Sequence, residues 1–251
     1  MFLRTFFTDV IKSKNTFALW LTVLGAGFIP AVLFLIGFNK PEFVATKQNI
    51  WEIYFERGHI FSIIFFMPFF VVLVISLLVQ IEHKSNTWKH LLTLPIGKAE
   101  IYFSKLLLIL TMLVLCYFLF VVFLLGGGFL LGIVHPKLPF LSQTPNFQFI
   151  TKTGIKLFVA SLAITSIHYW ASLRIKNQIL PIGIGLIGIV STLILNEGWK
   201  NIVYFPWAFP LLTYKFIKQP EFWLNHEWRS LAYFAVITLL GYLDFSRFYK
   251  A

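Results

Sequence analysis

Charged residues are scarce in this chain. Only 12% of its 251 residues are Asp, Glu, Lys or Arg, whereas 58% are hydrophobic. A soluble domain of this length would need more charge to cover its surface. The apolar residues also occur in runs of about 17–25 residues rather than in amphipathic stripes, and such runs cross a bilayer as helices. We therefore expect an all-α integral membrane protein.

Residues for covalent, metal or hydrolytic chemistry are also lacking. The single cysteine, Cys116, excludes an intramolecular disulfide and a thiol-ligated metal site, and it is most simply an apolar filler. The sequence has no Gly-x-x-x-x-Gly-Lys-[Ser/Thr] loop to hold nucleotide phosphates. It has no His-Glu-x-x-His motif and no paired Asp residues at membrane depth. An intramembrane enzyme is disfavoured, and we expect no catalytic residue, no metal and no bound cofactor.

About six hydrophobic runs are long enough to be transmembrane helices. They cover residues 16–38, 60–81, 101–134, 155–173, 179–195 and 230–248. The third run is too long for one straight crossing, so part of it should lie outside the hydrocarbon. The fifth is the shortest and is rich in glycine. No soluble domain, internal repeat or low-complexity linker interrupts the pattern, so residues 1–251 are predicted to form one membrane domain.

The net charge is +11, and the basic residues lie mostly at the ends of the runs. This pattern favours anionic lipid headgroups, and not nucleic acid, as the partner of the positive charge. An even number of spans puts both termini on one side. The basic residues are denser in the segments of that side, which predicts cytoplasmic termini. The first run lacks a small-residue cleavage site and is expected to act as an uncleaved signal anchor.

The first 15 residues are predicted to form an interfacial helix. Apolar side chains recur there at helical spacing while the charged residues take other positions, as in helices that lie in the headgroup plane. The apolar positions are Phe2, Phe6, Phe7, Val10 and Ile11, and the charged ones are Arg4, Asp9, Lys12 and Lys14. The alternative is a frayed tail.

Residues 196–229 form an aromatic-rich segment that is predicted to lie on the extracytoplasmic side. Aromatic side chains prefer the headgroup level, and the prolines in this segment prevent one long helix. We expect short helical pieces on or in the outer leaflet. The segment is either an anchoring belt or a lid for an amphiphilic substrate.

Few polar side chains lie within the runs. Asp244 and Arg247 could pair along the last helix, being three residues apart. His168 is interpreted as an interfacial polar anchor, with a proton relay as the alternative. Gly128 and Gly132 have the spacing of close helix packing, although a flexible point for gating would use the same residues.

A short polar insert, residues 83–97, separates the second and third runs. Ser85 is a candidate N-cap, and Pro95 pushes Leu94 out of helical geometry and ends the helix. Trp88, Leu91 and Leu92 fall at positions i, i+3 and i+4, on one face. The insert is therefore predicted to be a short helix along the membrane. It either binds lipid only or docks into a groove on a soluble protein.

The residues around this insert resemble a known family. Glu82 closes the second run, residues 87–98 read Thr-Trp-Lys-x-Leu-Leu-Thr-Leu-Pro-Ile-x-Lys, and Lys105 enters the third run. This order resembles the permease subunits of ABC-2-type exporters, most closely the group that includes lantibiotic-immunity transporters. The layout is similar along the whole chain, but the resemblance is specific only over residues 82–105. Gly97 departs from it, because many relatives have Ser or Thr there.

The resemblance implies six spans, an N-terminal elbow helix and a cytoplasmic coupling helix, in a bacterial cytoplasmic (inner) membrane. It implies a separate cytosolic ATPase that binds ATP and Mg²⁺, and a second permease copy or a related permease chain. The coupling residues would be Ser85, Trp88, Leu91, Leu92, Leu94 and Pro95. Glu82 and Lys105 would act as hinge or support residues.

Two other functions stay open at the level of sequence. A secondary transporter or channel is disfavoured because the runs contain little charge and no inverted repeat is visible. A membrane scaffold without transport activity is the other alternative. If the chain does export, the apolar runs accommodate a lipid, an amphipathic peptide or an apolar drug more easily than a small ion.

Overall fold

The described part of the chain is helical. The structure is a computed structural model that describes residues 2–14, 16–46, 49–84, 96–219 and 221–248. Within these ranges there are helices and turns but no β-strand. The helices are α1 (Phe2–Lys14), α2 (Phe17–Asn39), α3 (Ile50–Phe61), α4 (Met67–Lys84), α5 (Lys98–Val134), α6 (Phe147–Arg174), α7 (Ile179–Leu195), α8 (Phe209–Lys215) and α9 (Asn225–Phe248). The predicted all-α membrane fold is confirmed.

Among the described residues, four helical stretches are long and apolar enough to cross a membrane. They are Phe17–Asn39, Ile50–His83, Lys98–Val134 and Phe147–Arg174. The second is continuous because a π-helical turn, Ser62–Phe66, joins α3 to α4. It therefore begins at Ile50 and not near residue 60. The fifth predicted run is the apolar helix α7, which is shorter, and the sixth lies within α9.

The helix assembly has two ends. We call one of them the loop end: it is where α4 ends and α5 begins, on either side of residues 85–95. His83 Nε2 in α4 lies 3.0 Å from the Ser172 carbonyl in α6, and Lys98 Nζ in α5 donates to the Ser246 carbonyl in α9 at 3.1 Å. The far end carries the segments between α2 and α3, between α5 and α6, and between α7 and α9.

Helix α5 is the longest element, with 37 residues. At 1.5 Å per residue it extends about 55 Å, whereas the hydrocarbon core of a bilayer is about 30 Å thick. The length of α5 agrees with the prediction that part of the third run lies outside the hydrocarbon. Near its far end, α5 packs closely on α3. Trp51 of α3 sits over Gly128, and its indole nitrogen donates to the carbonyls of Phe140 (3.1 Å) and Gln143 (2.9 Å).

The aromatic-rich segment after α7 is made of short helices, as predicted. Lys200–Tyr204 and Pro206–Ala208 are 3₁₀ helices, and α8 follows them. The segment ends earlier than predicted, because α9 already begins at Asn225. It also packs among the helices: Phe209 is completely buried in a cluster with alanines of α6, and the Trp207 indole occupies the space beside Gly188.

A matched pair of glycines in α5 tests this packing. A methyl group on Gly128 would lie 2.5 Å from the Trp51 ring, whereas one on Gly126 would meet nothing within 4 Å. We expect Gly128→Ala to destabilise the protein by about 1–3 kcal/mol through overpacking. Gly126→Ala should be neutral or stabilising, because alanine is the better helix former.

Unfolding of both variants in detergent micelles, followed by tryptophan fluorescence, measures the difference. Equal midpoints for the two variants would contradict the close contact between Trp51 and α5.

Candidate functional site

Four charged side chains form a cluster at the loop end, which we call the charge cluster: Asp9 and Lys12 of α1, Glu82 of α4 and Lys105 of α5. Lys105 Nζ lies 3.3 Å from Glu82 Oε1 and 3.7 Å from Asp9 Oδ1. Lys12 Nζ lies 3.3 Å from the same Glu82 oxygen. The cluster therefore joins three helices through two carboxylates and two ammonium groups.

Three members of the cluster are buried. The exposed fraction is 1% for Glu82, 3% for Lys105 and 7% for Asp9. Lys12 is at the edge, with a side chain that is 35% exposed. A charge withdrawn from water is tolerated only when partners compensate it. The mutual contacts of Asp9, Glu82 and Lys105 therefore constrain how α1, α4 and α5 can sit against one another.

The orientation of α1 brings Asp9 into the cluster. Asp9 and Ser13 are buried against the protein, and Phe6 and Val10 pack on the core of the helix assembly. Leu3, Phe7 and Ile11, at positions i, i+4 and i+8, form an exposed apolar stripe on another face. The predicted helix is confirmed. The sequence pattern did not distinguish the apolar residues that contact protein from those that point away from it.

Asp9 is held by a second contact from α5. The Ser104 hydroxyl donates to Asp9 Oδ2 at 3.1 Å and also contacts the Ile101 carbonyl at 3.2 Å. Adjacent residues of α5, Ser104 and Lys105, thus bind the two oxygens of one carboxylate. This arrangement fixes the rotation of α1 about its own axis as well as its distance from α5.

The charge cluster lies next to both ends of residues 85–95. Glu82 is in the last turn of α4 before that segment, and Lys98 begins α5 after it. Glu82 and Lys105, the predicted hinge or support residues, contact each other at 3.3 Å, while their role stays a prediction. The predicted coupling residues Ser85, Trp88, Leu91, Leu92, Leu94 and Pro95 lie outside the described residues, so their roles stay predictions.

A second buried ion pair lies towards the far end. Lys156 of α6 and Glu227 of α9 are completely buried, with Lys156 Nζ 3.2 Å from Glu227 Oε1. Lys156 also donates to the Phe222 carbonyl at 2.6 Å, and Glu227 Oε2 accepts from the backbone N–H of Leu224 at 2.9 Å. This pair holds the start of α9 against α6.

Sequence reasoning missed this second pair, because Lys156 lies at the start of the fourth predicted run and Glu227 lies in the predicted extracytoplasmic segment, with no pattern that joins them. A signal was present: Lys156 lies inside the fourth apolar run, as Lys105 lies inside the third. An isolated charge within an apolar run indicates a buried partner. The sequence does not identify that partner, because Glu227 lies in a segment with no matching pattern.

Two other polar residues have different partners from those predicted. Asp244 Oδ2 lies 3.0 Å from Arg174 Nε and accepts from the Trp170 indole at 2.9 Å, so it pairs with α6 and not along its own helix with Arg247. His168 is completely buried, and its Nε2 accepts from the Trp207 indole at 3.2 Å. The interpretation of His168 as an interfacial anchor is therefore wrong.

The described ranges contain no group of three or more His, Cys, Asp or Glu side chains that could hold a metal ion. What the charge cluster can do is mechanical: it holds α1, α4 and α5 together close to the point where α4 ends before residues 85–95.

Comparison with protein families identifies the chain. A family model described as ABC-2 family transporter protein matches residues 6–192, from α1 through most of α7. The chain belongs to the ABC-2 transporter family. No curated protein and no solved structure matches it. The ABC-2 chain is thus a multi-pass membrane component of an ABC transporter, and it is not catalytic itself. The match does not resolve the lantibiotic-immunity group, which stays a prediction.

Because the charge cluster is buried, loss of Lys105 should destabilise the protein more than loss of an exposed lysine does. We expect Lys105→Met to lower the free energy of unfolding by about 3–5 kcal/mol, because Asp9 and Glu82 stay buried after losing the ammonium group between them. Lys218→Met is the matched control. Lys218 pairs with Glu56 at the far end, but its side chain is 75% exposed, so the cost should be within about 1 kcal/mol.

Denaturant or thermal unfolding of the two variants in the same detergent measures both costs. A Lys105→Met variant as stable as Lys218→Met would contradict a tightly paired cluster.

Proposed function

We propose that this ABC-2 chain is the membrane-spanning half of an ATP-driven exporter that is driven by a separate cytosolic ATPase. The observation that supports the proposal is the charge cluster. Glu82 and Lys105 connect the two helices that flank residues 85–95, and Asp9 and Lys12 connect α1 to the same point. A force applied to the insert would therefore act on three helices at once.

In this proposal residues 85–95 form the coupling helix. Ser85 begins it, Leu94 and Pro95 end it, and Trp88, Leu91 and Leu92 present a bulky apolar face. Such a face docks into a hydrophobic groove of a partner. ATP and Mg²⁺ bind the ATPase, because this chain has no phosphate-binding loop. When the ATPases close, the coupling helix moves and biases the spans between inward-open and outward-open states.

The charge cluster would act as a rigid support in this cycle. If α4 and α5 could separate, movement of the insert would be lost as local bending between Lys84 and Lys98. The bonds of Lys105 to Glu82 and Asp9 resist that separation, because breaking them removes compensating charge from buried groups. Glu82 and Lys105 are thus proposed as positioning residues that transmit force and contact no nucleotide.

The wider setting follows the same proposal. The chain forms one domain over residues 1–251 in a bacterial inner membrane, with both termini in the cytoplasm. Residues 1–15 are the elbow helix. The whole chain pairs with a second copy of itself or with a related permease chain, and the pair binds two ATPases. Its cargo is a lipid, an amphipathic peptide or an apolar drug, and it binds no nucleic acid. Family membership favours this function over a secondary transporter, a channel or a scaffold.

Substitutions in the insert test the docking face. Trp88→Ala and Leu91→Asp should each reduce co-purification of the cytosolic ATPase by about tenfold or more, because a buried aromatic or leucine anchor carries much of the binding energy of an interface. Trp199→Ala is the matched control, because Trp199 is at the far end and 42% exposed.

The measurement is quantitative pull-down of ATPase with tagged chain from detergent-solubilised native membranes. Equal recovery from the wild type and both insert variants, together with unchanged transport, would refute the docking assignment.

A second test separates docking from force transmission. Lys105→Met should leave ATPase co-purification near the wild-type level, because Lys105 is buried and is not one of the proposed docking residues, but it should reduce transport per ATP hydrolysed. Lys105→Arg keeps the positive charge and should restore part of the coupling. ATP hydrolysis and cargo movement are measured together in proteoliposomes. Unchanged coupling in a correctly folded Lys105→Met protein would remove the charge cluster from the mechanism.

A further inference from the structure

An apolar cavity that opens on one side lies between α2, the α3–α4 helix, α5 and α6. Its volume is about 270 Å³, and its wall includes Leu24 of α2, Phe66 of the π-helical turn, Cys116 of α5 and Leu157 of α6. Leu24 and Phe66 lie near the middle of apolar stretches that are long enough to cross a membrane, and so does Cys116. The cavity is therefore at the depth of the bilayer hydrocarbon and away from both helix ends.

Three polar side chains of the wall, those of His59, Tyr117 and Ser161, are already engaged within the protein. The ring nitrogens of His59 lie 2.7 Å from the Phe55 carbonyl and 3.2 Å from the Tyr117 hydroxyl, which in turn donates to the Ile150 carbonyl. The Ser161 hydroxyl donates to the backbone at 2.7 Å. Among described residues, the wall contains no Asp, Glu, Lys or Arg. A charged or strongly polar ligand would lose its hydration here without compensation.

The mouth of the cavity is on the side of the helix assembly. Leu24 and Phe28 contribute to the wall, yet they are 61% and 51% exposed on the outer surface of α2. The Phe28 ring stacks on Phe66 with centroids 4.9 Å apart. The opening is therefore a slot between α2 and the π-helical turn, at the level where bilayer chains touch the protein.

We propose that this cavity binds one acyl chain of a membrane lipid, which enters sideways beside Phe28 and Phe66 while its headgroup stays outside. Hydrocarbon is what the bilayer offers at this depth. An apolar cavity stays dry, and an empty one forfeits the dispersion contacts of its wall. Because a cavity of about 150 Å³ accepts benzene, one of this size accepts roughly ten carbon atoms. The proposal does not depend on transport or on an ATPase.

The position of the π-helical turn supports a ligand at this place. The Met67 N–H bonds to the Ser62 carbonyl five residues earlier, which widens the helix locally, and Ser62, Ile63 and Phe66 of this turn face the cavity. Such turns are uncommon and occur frequently at functional sites. The turn sits where α3 ends and α4 begins, so a chain in the cavity would contact the junction between the two.

Photo-crosslinking in nanodiscs tests the proposal. The full-length protein is reconstituted with one phosphatidylcholine, a fraction of which carries a diazirine in the middle of an acyl chain, and adducts are mapped by peptide mass spectrometry. We expect adducts on buried wall residues such as Leu157, which is 1% exposed. Adducts confined to exposed residues such as Leu24 would overturn the proposal, because surrounding lipid alone explains them.

The second part of the test is a variant whose side chain fills the cavity. Gly25 lines it, and a methyl group there would make an ordinary 3.5 Å contact with Phe70, so a larger side chain can enter. Gly25→Leu should reduce wall adducts roughly tenfold, because its side chain displaces several carbons of the acyl chain. Gly126→Leu is the matched control, since Gly126 faces open space. It should leave wall adducts unchanged.

Cys116→Phe fills the cavity from α5 and replaces Gly25→Leu if that variant does not fold. Wall labelling that persists in a folded, filled variant would overturn the proposal. A complete absence of wall adducts in discs that contain only lipid and protein would also overturn it, in favour of a cavity reserved for another apolar molecule.

Discussion

The requirement that a buried ammonium group keep its counter-charges organises the loop end of this protein. Lys105 is 3% exposed and lies between carboxylates from two other helices. Loss of either carboxylate would leave the buried lysine with one counter-charge fewer, and loss of the lysine would remove a compensating charge from both carboxylates. Three helices that otherwise meet through interchangeable apolar side chains thereby acquire one defined arrangement. The ABC-2 family assignment is consistent with a mechanical role for that arrangement, since α4 and α5 flank residues 85–95 in sequence, the insert that was predicted to face a partner.

The helices could be predicted from sequence because length and hydropathy decide them. The six runs lie in helices, and the N-terminal helix is present as α1. What the pattern could not supply is which polar groups meet. Asp9 occupies a position typical of a solvated face and is nevertheless buried, because Ser104 and Lys105 of a distant helix receive it. Glu82 and Lys105 were identified through the family resemblance, whereas the pair of Lys156 and Glu227 was not. A lysine inside an apolar run indicates that a buried partner exists, but the identity of that partner depends on tertiary contacts.

Buried charges are compensated by different kinds of partner at the two ends of the protein. At the loop end the buried charges join helices that are distant in sequence. Towards the far end, Lys156 and Glu227 hold the beginning of α9 against α6, and the backbone of the preceding segment completes their hydrogen bonds. Between these ends the helix contacts are mostly apolar, and there the cavity and the π-helical turn occur. Directional contacts thus fix the ends, while the less directional middle retains room for a ligand.

The π-helical turn determines how α3 and α4 are rotated relative to each other about their common helix axis. An α-helix advances by about 100° per residue, so the length of Ser62–Phe66 sets the angle between the faces of α3 and α4. On one side of the turn, Trp51 and Tyr54 face α5 and the segment beyond it; on the other, Glu82 must face Lys105. Adding or removing one residue would rotate Glu82 by more than a quarter turn away from Lys105. The turn therefore acts as a spacer that keeps two distant contacts of one helix in register.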